Sequence, residues 1–491
     1  MELVPSARSL IEGMRDFGYS LESALADIVD NSIAAGASRI RILADPNGGD
    51  PRIGILDDGQ AMSEAELLEA MRPSTRSPLE QRSESDLGRF GLGLKTASFS
   101  QGRRLTVATR RGTQTSAAAW DLGRVEDTDR WMVELLPGVD DVPWGHELEG
   151  EGTLVVWEKL DRIVEKASAS ENAAHFARRL AEARVHLELV FHRYLAGEAG
   201  LRKVTMSLNG QKLVPFDPFH SSHPATIKDP VEIIHMGENT VTVQVFTLPH
   251  HSKVSQSAWN KYAGVGGYAK NQGFYLYRQK RLIMYGTWFG LARHTELTKL
   301  TRVRIDVPTA LDTEWHIDVK KSSAQPPHVV REHLRNRIEA IGASSRRVYT
   351  KRGTKLTTHN RLPVWQRIQD DNEISYRLDP QHPLLAAFAD GLTGSTVNEF
   401  RRILKLIQVT LPLDALLADL GGAEEKLSSS VLQADELRDM VVATFMALRH
   451  LGTSVAEVEA IMGSAEPFRS NWSQTAELIG SLSEGSEDGA E

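Results

Sequence analysis

The period of apolar and polar positions changes several times along the chain, and each change predicts an element. The stretch Leu25-Ala26-Asp27-Ile28-Val29-Asp30-Asn31-Ser32-Ile33-Ala34-Ala35 reads as an amphipathic helix with Ser23 as its N-cap and an end near Gly36. Before it lies an arm, residues 1–20, with a short helix over 9–17. Alternation over 39–43 and 52–56 predicts two neighbouring strands, and 63–71 predicts a helix. Residues 72–87 are polar, charged and aperiodic; so long an irregular segment inside a domain predicts a functional lid or disorder. Strands at 105–109, 116–120, 131–135 and 153–157 then close an α+β half near residue 165.

A long helical pattern over 171–190 opens a second region. Residues 204–208, Asn209-Gly210 and 212–214 carry the signature of a hairpin with a type I′ turn. Strands at 240–246, 273–278 and 302–307 and a helix over 329–341 complete a second α+β domain ending near residue 345. The remainder turns mostly helical. Val397, Phe400, Leu404 and Ile407 form one apolar face and Leu437, Val441, Phe445 and Leu448 another, both predicted to build a core. The domains expected are therefore 1–165 with a lid at 72–95, 166–345, a basic linker at 346–362, a helical domain at 363–480 and a disordered acidic tail at 481–491. No internal repeat is seen.

Composition narrows the class. A chain of 491 residues is too long for one core. With 41% hydrophobic and 25% charged residues it has the make-up of a soluble globular protein. No apolar run reaches the length of a membrane span, and the N-terminus lacks the basic start and apolar core of a signal peptide, so a cytoplasmic protein with no membrane partner is expected. Zero cysteines exclude disulfides, thiolate metal sites and cysteine nucleophiles. A net charge of −8 argues against a globally basic nucleic-acid coat, though not against a local basic groove. The basic stretch Arg346, Arg347, Lys351, Arg352, Lys355 and Arg361 reads as a solvated linker.

Four segments carry candidate chemistry. Asp27 and Asn31, four apart, share one helix face; a carboxylate can orient or deprotonate water and an amide oxygen can complete a metal shell. Asp57-Asp58-Gly59-Gln60-Ala61-Met62 ends a strand, where a carboxylate can accept from an exocyclic amine and a glycine admits a flat ring. Gly88-Arg89-Phe90-Gly91-Leu92-Gly93-Leu94-Lys95 places three glycines before a helix, a pattern whose backbone N–H groups can hold phosphate. It is neither a dinucleotide fingerprint nor a P-loop. Gly152-Thr153 opens a strand whose threonine hydroxyl can reach a base directly or through water. His220, His223, His250 and His251 lack a third ligand or a glutamate at helical spacing and read as surface histidines.

In order and spacing these segments resemble the GHKL ATPase superfamily of gyrase B, the ninety-kilodalton heat-shock chaperone, histidine kinases and MutL, and the 88–95 wording is most similar to its MORC-like branch. The resemblance covers roughly residues 5–330. It implies a Bergerat-type sandwich of helices on a mixed sheet, then an S5-like transducer domain, ahead of the mostly helical C-terminal region. It further implies ATP and Mg²⁺ as ligands: Asn31 on Mg²⁺, Asp57 on the adenine amine, Gly59 against the ring, Met62 and Thr153 in the base pocket, and Gly88, Arg89, Phe90, Gly91, Leu92, Gly93, Leu94 and Lys95 around the phosphates. Asp27 stands where the family carries its water-activating glutamate, one methylene shorter. Ala61 replaces the second glycine of its box, and Ala34 stands where many members carry an acid.

The family's second domain supplies a cation to the γ-phosphate. Trp315-His316-Ile317-Asp318-Val319-Lys320-Lys321-Ser322 lies at the corresponding place, and Lys321 rather than Lys320 is the expected donor because it leads into the following loop. The function implied is an ATP hydrolase, a clamp that homodimerises on ATP with residues 1–20 as an exchangeable arm and grips DNA or a protein client, with genome defence as one conceivable setting. A nucleotide-binding switch with negligible turnover is the alternative. A histidine kinase is disfavoured, because no dimerising helix hairpin precedes the domain and that class lacks a carboxylate at the place of Asp27.

Overall fold

Alternation in Arg39–Asp45 (β1) and Arg52–Asp57 (β2) buries Ile40, Ile42, Ile53 and Ile55 on one face, and the strands pair antiparallel with Ile42 opposite Ile55. The computed structural model describes residues 6–73, 93–164, 168–316, 324–350, 362, 364–370, 373–413, 415–416 and 432–487. Four further strands, Arg104–Arg111 (β3), Gln114–Asp121 (β4), Glu134–Leu136 (β5) and Gly152–Glu158 (β6), extend the sheet beyond β2. On the other side Thr205–Leu208 (β7) runs parallel to β1 and turns into Gln211–Lys212 (β8). The order is β5-β4-β3-β6-β2-β1-β7-β8, a mixed eight-stranded sheet. The 204–214 hairpin, expected at the start of the second domain, is thus the last pair of strands of the first sheet. Its local turn chemistry was readable, but the partner strand was not.

Helices cover one face of this sheet: Ala7–Arg15 (α1), Leu21–Ala34 (α2), Glu64–Met71 (α3), Gly93–Phe99 (α4), Leu122–Thr128 (α5) and Ala169–Val190 (α6). Leu25 and Ile28 of α2 meet Ile40, Ile42 and Ile55, with Phe176, Leu180 and Leu187 of α6 in the same core. The first helix begins earlier than the pattern suggested because Ser6 caps it, its hydroxyl accepting from the Ser9 amide. It docks on its own chain: Arg15 forms two bonds to Asp161, at 2.6 and 2.7 Å, and one to the Phe99 carbonyl.

After the short His192–Ala196 (α7), a second sheet is built from Ile227–Lys228 (β9), Glu232–Met236 (β10), Asn239–Thr247 (β11), Gly273–Arg278 (β12), Arg281–Thr287 (β13) and Thr301–Val307 (β14), in the order β10-β11-β14-β12-β13 with β9 on β11. Two short helices, Gln256–Ala263 (α8) and Gly267–Lys270 (α9), lie between β11 and β12. Val243, Leu276 and Ile305 pack against Val330 and Leu334 of the helix His328–Thr350 (α10). Both sheets lie in one unit, ending at Ala343 within α10. The helix runs to Thr350, so residues 346–350 of the expected linker are helical.

The second unit starts at Ser344. It contains a hairpin absent from the sequence reading, Trp365–Asp370 (β15) with Glu373–Leu378 (β16), then Pro383–Asp390 (α11), Ser395–Val409 (α12), Ala434–His450 (α13), Val455–Ser464 (α14) and Trp472–Glu487 (α15). Leu437, Val441, Phe445 and Leu448 form its core as expected. The face of α12 does not: Val397, Phe400 and Leu404 are half-buried and Ile407 is exposed, with Phe400 packed only edge-on to Phe388 among the described rings. The expected disordered tail is helical as far as Glu487, since Leu478, Ile479 and Leu482 hold α15 on that core. No described helix is long and apolar enough to cross a membrane.

Candidate functional site

α2 starts at Leu21 rather than after Ser23, because Ser20 is the cap: its hydroxyl accepts the Ser23 amide, and Ser23 Oγ donates back to the Ser20 carbonyl. From Ala24 to Asp30 every residue is buried. The helix is therefore packed on all sides there, against the sheet below and α4 and α6 beside it. Two acidic residues in such a place need partners. Tyr19 Oη donates to Asp27 Oδ2 at 2.8 Å, and the Arg281 guanidinium stands 3.8 Å from Asp27 Oδ1 and 3.2 Å from the Asp30 carboxylate. Asn31, one turn beyond Asp27, is exposed. The shared face thus runs from a buried carboxylate to an open amide.

The adjoining wall comes from the end of β2. Asp57 is buried, and both its oxygens are engaged: Ser32 Oγ donates to Oδ2 at 2.7 Å and the Gly59 amide to Oδ1 at 2.9 Å. Burial pushes its carboxyl above the usual range, partly offset by these hydrogen bonds. Its neighbour Asp58 has a different job. It accepts from the Ser38 amide and hydroxyl and from the Arg39 amide, which outweigh its partial burial and hold its carboxyl below the ordinary value. The loop is pinned to α2 by the Gln60 amide on the Ala35 carbonyl. A Cβ on Gly59 would stand 3.0 Å from both Ala35 Cβ and Asp57 Oδ1, so the missing side chain keeps this corner open.

Thr153 lies opposite Asp57 in the β2–β6 ladder and is buried. The preceding Gly152, at φ +152°, has no alternative: a Cβ there would lie 2.0 Å from the Asp57 carbonyl oxygen. Thr109 joins the walls, its hydroxyl accepting from the Met62 amide at 3.0 Å and lying 3.2 Å from the Gly152 carbonyl. Gly93 opens α4 facing the helix, with Asp27 Oδ2 the nearest atom to where its Cβ would be.

The structure therefore brings Asp27, Asn31, Asp57, Gly59, Met62, Gly93 and Thr153 together around the C-terminal half of α2. Leu94 packs against the core. Lys95 is buried and donates to the Ala70 carbonyl at 2.9 Å, and burial pushes its ammonium down to about 8. Gly88, Arg89, Phe90, Gly91 and Leu92, and both Lys320 and Lys321, lie outside the described residues. Tyr19, Asp30, Ser32, Thr109 and Arg281 were missed by sequence reasoning. Ser32 and Asp30 sit beside recognised residues but no spacing marks them, and Arg281 is some 250 positions away.

The donor set fits a nucleotide with its metal. An ionised carboxylate beside a backbone cleft can accept from an amine on a flat ring. Among the described residues no three His, Cys, Asp or Glu cluster as a metal site. The four histidines set aside earlier, His220, His223, His250 and His251, are half-buried rather than fully exposed, and His220 stacks on Tyr262 with ring centroids 3.8 Å apart.

Comparison with known proteins agrees with this geometry. Residues 19–141 match the family described as histidine kinase-, DNA gyrase B- and HSP90-like ATPase. The DNA mismatch repair protein MutL of Rhodopseudomonas palustris strain HaA2 is 37% identical over 109 residues, 22% of this chain and 18% of that protein. MutL of Bradyrhizobium diazoefficiens is 35% identical over 98 residues, 20% and 16% respectively. MutL of Shewanella piezotolerans is 34% identical over 122 residues, 24% and 19%. The chain spans less than a fifth of the length of each of these relatives.

Proposed function

We propose that this chain, whose residues 19–141 match the histidine kinase-, DNA gyrase B- and HSP90-like ATPase family, is a Mg²⁺-dependent, cytoplasmic ATP hydrolase that closes as an ATP-driven homodimeric clamp. The observation that carries the reading is the buried Asp27 carboxylate, one helical turn from the open Asn31 amide, on the same helix as the Ser32 hydroxyl that with the Gly59 amide orients Asp57. Asp57 accepts from the adenine amine, Gly59 admits the ring, and Met62 and Thr153 line the base pocket. Asn31 offers its amide oxygen to the metal, and backbone N–H groups of the 88–95 segment, which opens α4, hold phosphate oxygens. When bound, Mg²⁺ supplies neutralisation of charge on the β- and γ-phosphate oxygens. Asp27 takes a proton from the attacking water as its oxygen bonds to the γ-phosphorus in line; the bond to the β,γ-bridging oxygen breaks and ADP leaves.

Lys321, with Lys320 as the alternative, is the cation we assign to the γ-phosphate. Lys321→Met is expected to lower turnover at least tenfold while nucleotide affinity changes little, read by phosphate release and equilibrium binding. If Lys320→Met does this instead, the two lysines exchange roles.

DNA is the favoured client, supported by the relatives' names as DNA mismatch repair proteins; a protein client and a setting in genome defence belong to the same reading. The experiment is steady-state phosphate release with and without double-stranded DNA across salt. Turnover stimulated by DNA, with the stimulation fading as salt rises, is the expected result. No turnover under either condition would overturn the enzyme and leave the second reading, a nucleotide-binding switch. That reading is favoured by one feature: Asp27 is one methylene short and already engaged by Tyr19 and Arg281.

A further inference from the structure

We propose that Arg281, the first residue of β13, is a positioning residue for Asp27 and makes the second sheet a control element of the site. The proposal rests on the reading of Asp27 as the group that activates water. Arg281 is 5% exposed, and its surroundings fix it closely. Nε lies 3.2 Å from the Asp30 carboxylate, a second guanidinium nitrogen donates to the Leu282 carbonyl at 3.3 Å, and the guanidinium stands 5.7 Å from the centre of the Phe191 ring. The third nitrogen is left facing Asp27 Oδ1 at 3.8 Å, an ion-pair distance rather than a hydrogen bond. Tyr19 donates to the other oxygen, Oδ2. The two oxygens of one carboxylate are therefore addressed by groups from two different parts of the chain, which sets the direction of the carboxylate as well as its place.

The hairpin that carries Arg281 is itself held. Its two turn residues, Gln279 at φ +49° and Lys280 at φ +65°, occupy the left-handed region without being glycine, a conformation that needs support. Tyr194 Oη donates to the Gln279 carbonyl at 2.6 Å, Lys280 pairs with Asp306, and Arg278 bonds to both oxygens of Asp312, at 2.8 and 2.9 Å. The turn is thus tied to β14 and the loop after it on one side and to α7 of the first core on the other, and Arg281, as the first residue of β13, is carried toward Asp27 by the second sheet. A shift of that sheet against α2 changes the cation beside Asp27 and leaves the adenine wall of Asp57, Ser32 and Gly59 in place. Asp30 alone would satisfy the charge of Arg281; the geometry points to Asp27 as a second recipient.

The test measures kcat, ATP affinity and melting temperature for the full chain carrying Arg281→Met, Arg281→Lys, and Arg281→Met with Asp30→Asn. Arg281→Met strands a buried carboxylate and is expected to melt early, so the double variant, which removes both charges, isolates the effect on Asp27. The expected result is a double variant with melting temperature restored, ATP affinity within threefold of wild type, and kcat still at least tenfold down, with Arg281→Lys recovering part of the rate. Recovery of kcat together with melting temperature in the double variant overturns the proposal and leaves Arg281 a counter-ion for Asp30. Absence of turnover in the wild type would instead overturn the hydrolase reading, and this proposal with it.

Discussion

Asp27→Asn is expected to bind ATP with near wild-type affinity and to hydrolyse it about 10²–10⁴-fold more slowly, the range in which loss of a general base falls. That loss equals about 3–5 kcal/mol of transition-state stabilisation. The substitution keeps the side-chain shape, so the residue can still meet Tyr19 Oη, now bonded at 2.8 Å. It leaves one carboxylate, Asp30, for the one guanidinium of Arg281, a balanced pair in a buried place. Nothing at the adenine wall changes, because Asp57 takes its hydrogen bonds from Ser32 and Gly59. Binding titrated calorimetrically and phosphate release measured on the same preparation separate the two effects. Wild-type turnover in Asp27→Asn would mean that the base lies elsewhere.

The first domain was legible because its signals are local. Alternation in 39–43 and 52–56, the helical pattern over 63–71 and the Asn209-Gly210 turn each act within a few residues, and the corresponding elements formed. Long-range pairing was not legible. Residues 204–214 read as a hairpin, which forms with strands Thr205–Leu208 and Gln211–Lys212, but its place beside β1 depends on a partner far away in the chain. The α12 face shows the limit of periodicity in another way: Val397, Phe400, Leu404 and Ile407 are well spaced to form a core, yet the first three are only half-buried and Ile407 is exposed. At the site, Asp27, Asn31, Asp57 and Gly59 could be named because chemistry and order point to them together. Their supports could not. Ser32, Thr109 and Tyr19 are ordinary residues until the fold sets a carboxylate or a loop amide within reach, and Arg281 arrives from the other sheet.

Asp57→Asn is expected to weaken ATP binding by roughly 10- to 100-fold, since a hydrogen bond to a charged group contributes about 1.5–3 kcal/mol. It is also expected to reverse the preference for the amine on the base. The wild-type carboxylate is held by two donors, the Ser32 hydroxyl at 2.7 Å and the Gly59 amide at 2.9 Å, and can offer the base only acceptor capacity when ionised. An asparagine whose oxygen stays on the Gly59 amide turns its NH₂ toward Ser32 and the base. The Ser32 hydroxyl can accommodate this by rotating toward the Ile28 carbonyl, 3.4 Å away, and accepting instead. A donor then faces the adenine amine, leaving two donors opposed in a buried corner. Inosine triphosphate carries a carbonyl oxygen at that position and would accept from the new amide. The ratio of the two dissociation constants is thus the sharper measurement: wild type favours ATP over inosine triphosphate, and Asp57→Asn narrows or inverts the ratio. An unchanged ratio with both affinities reduced would mean that Asp57 shapes the pocket without touching the base, and the adenine contact would have to be sought elsewhere on the wall.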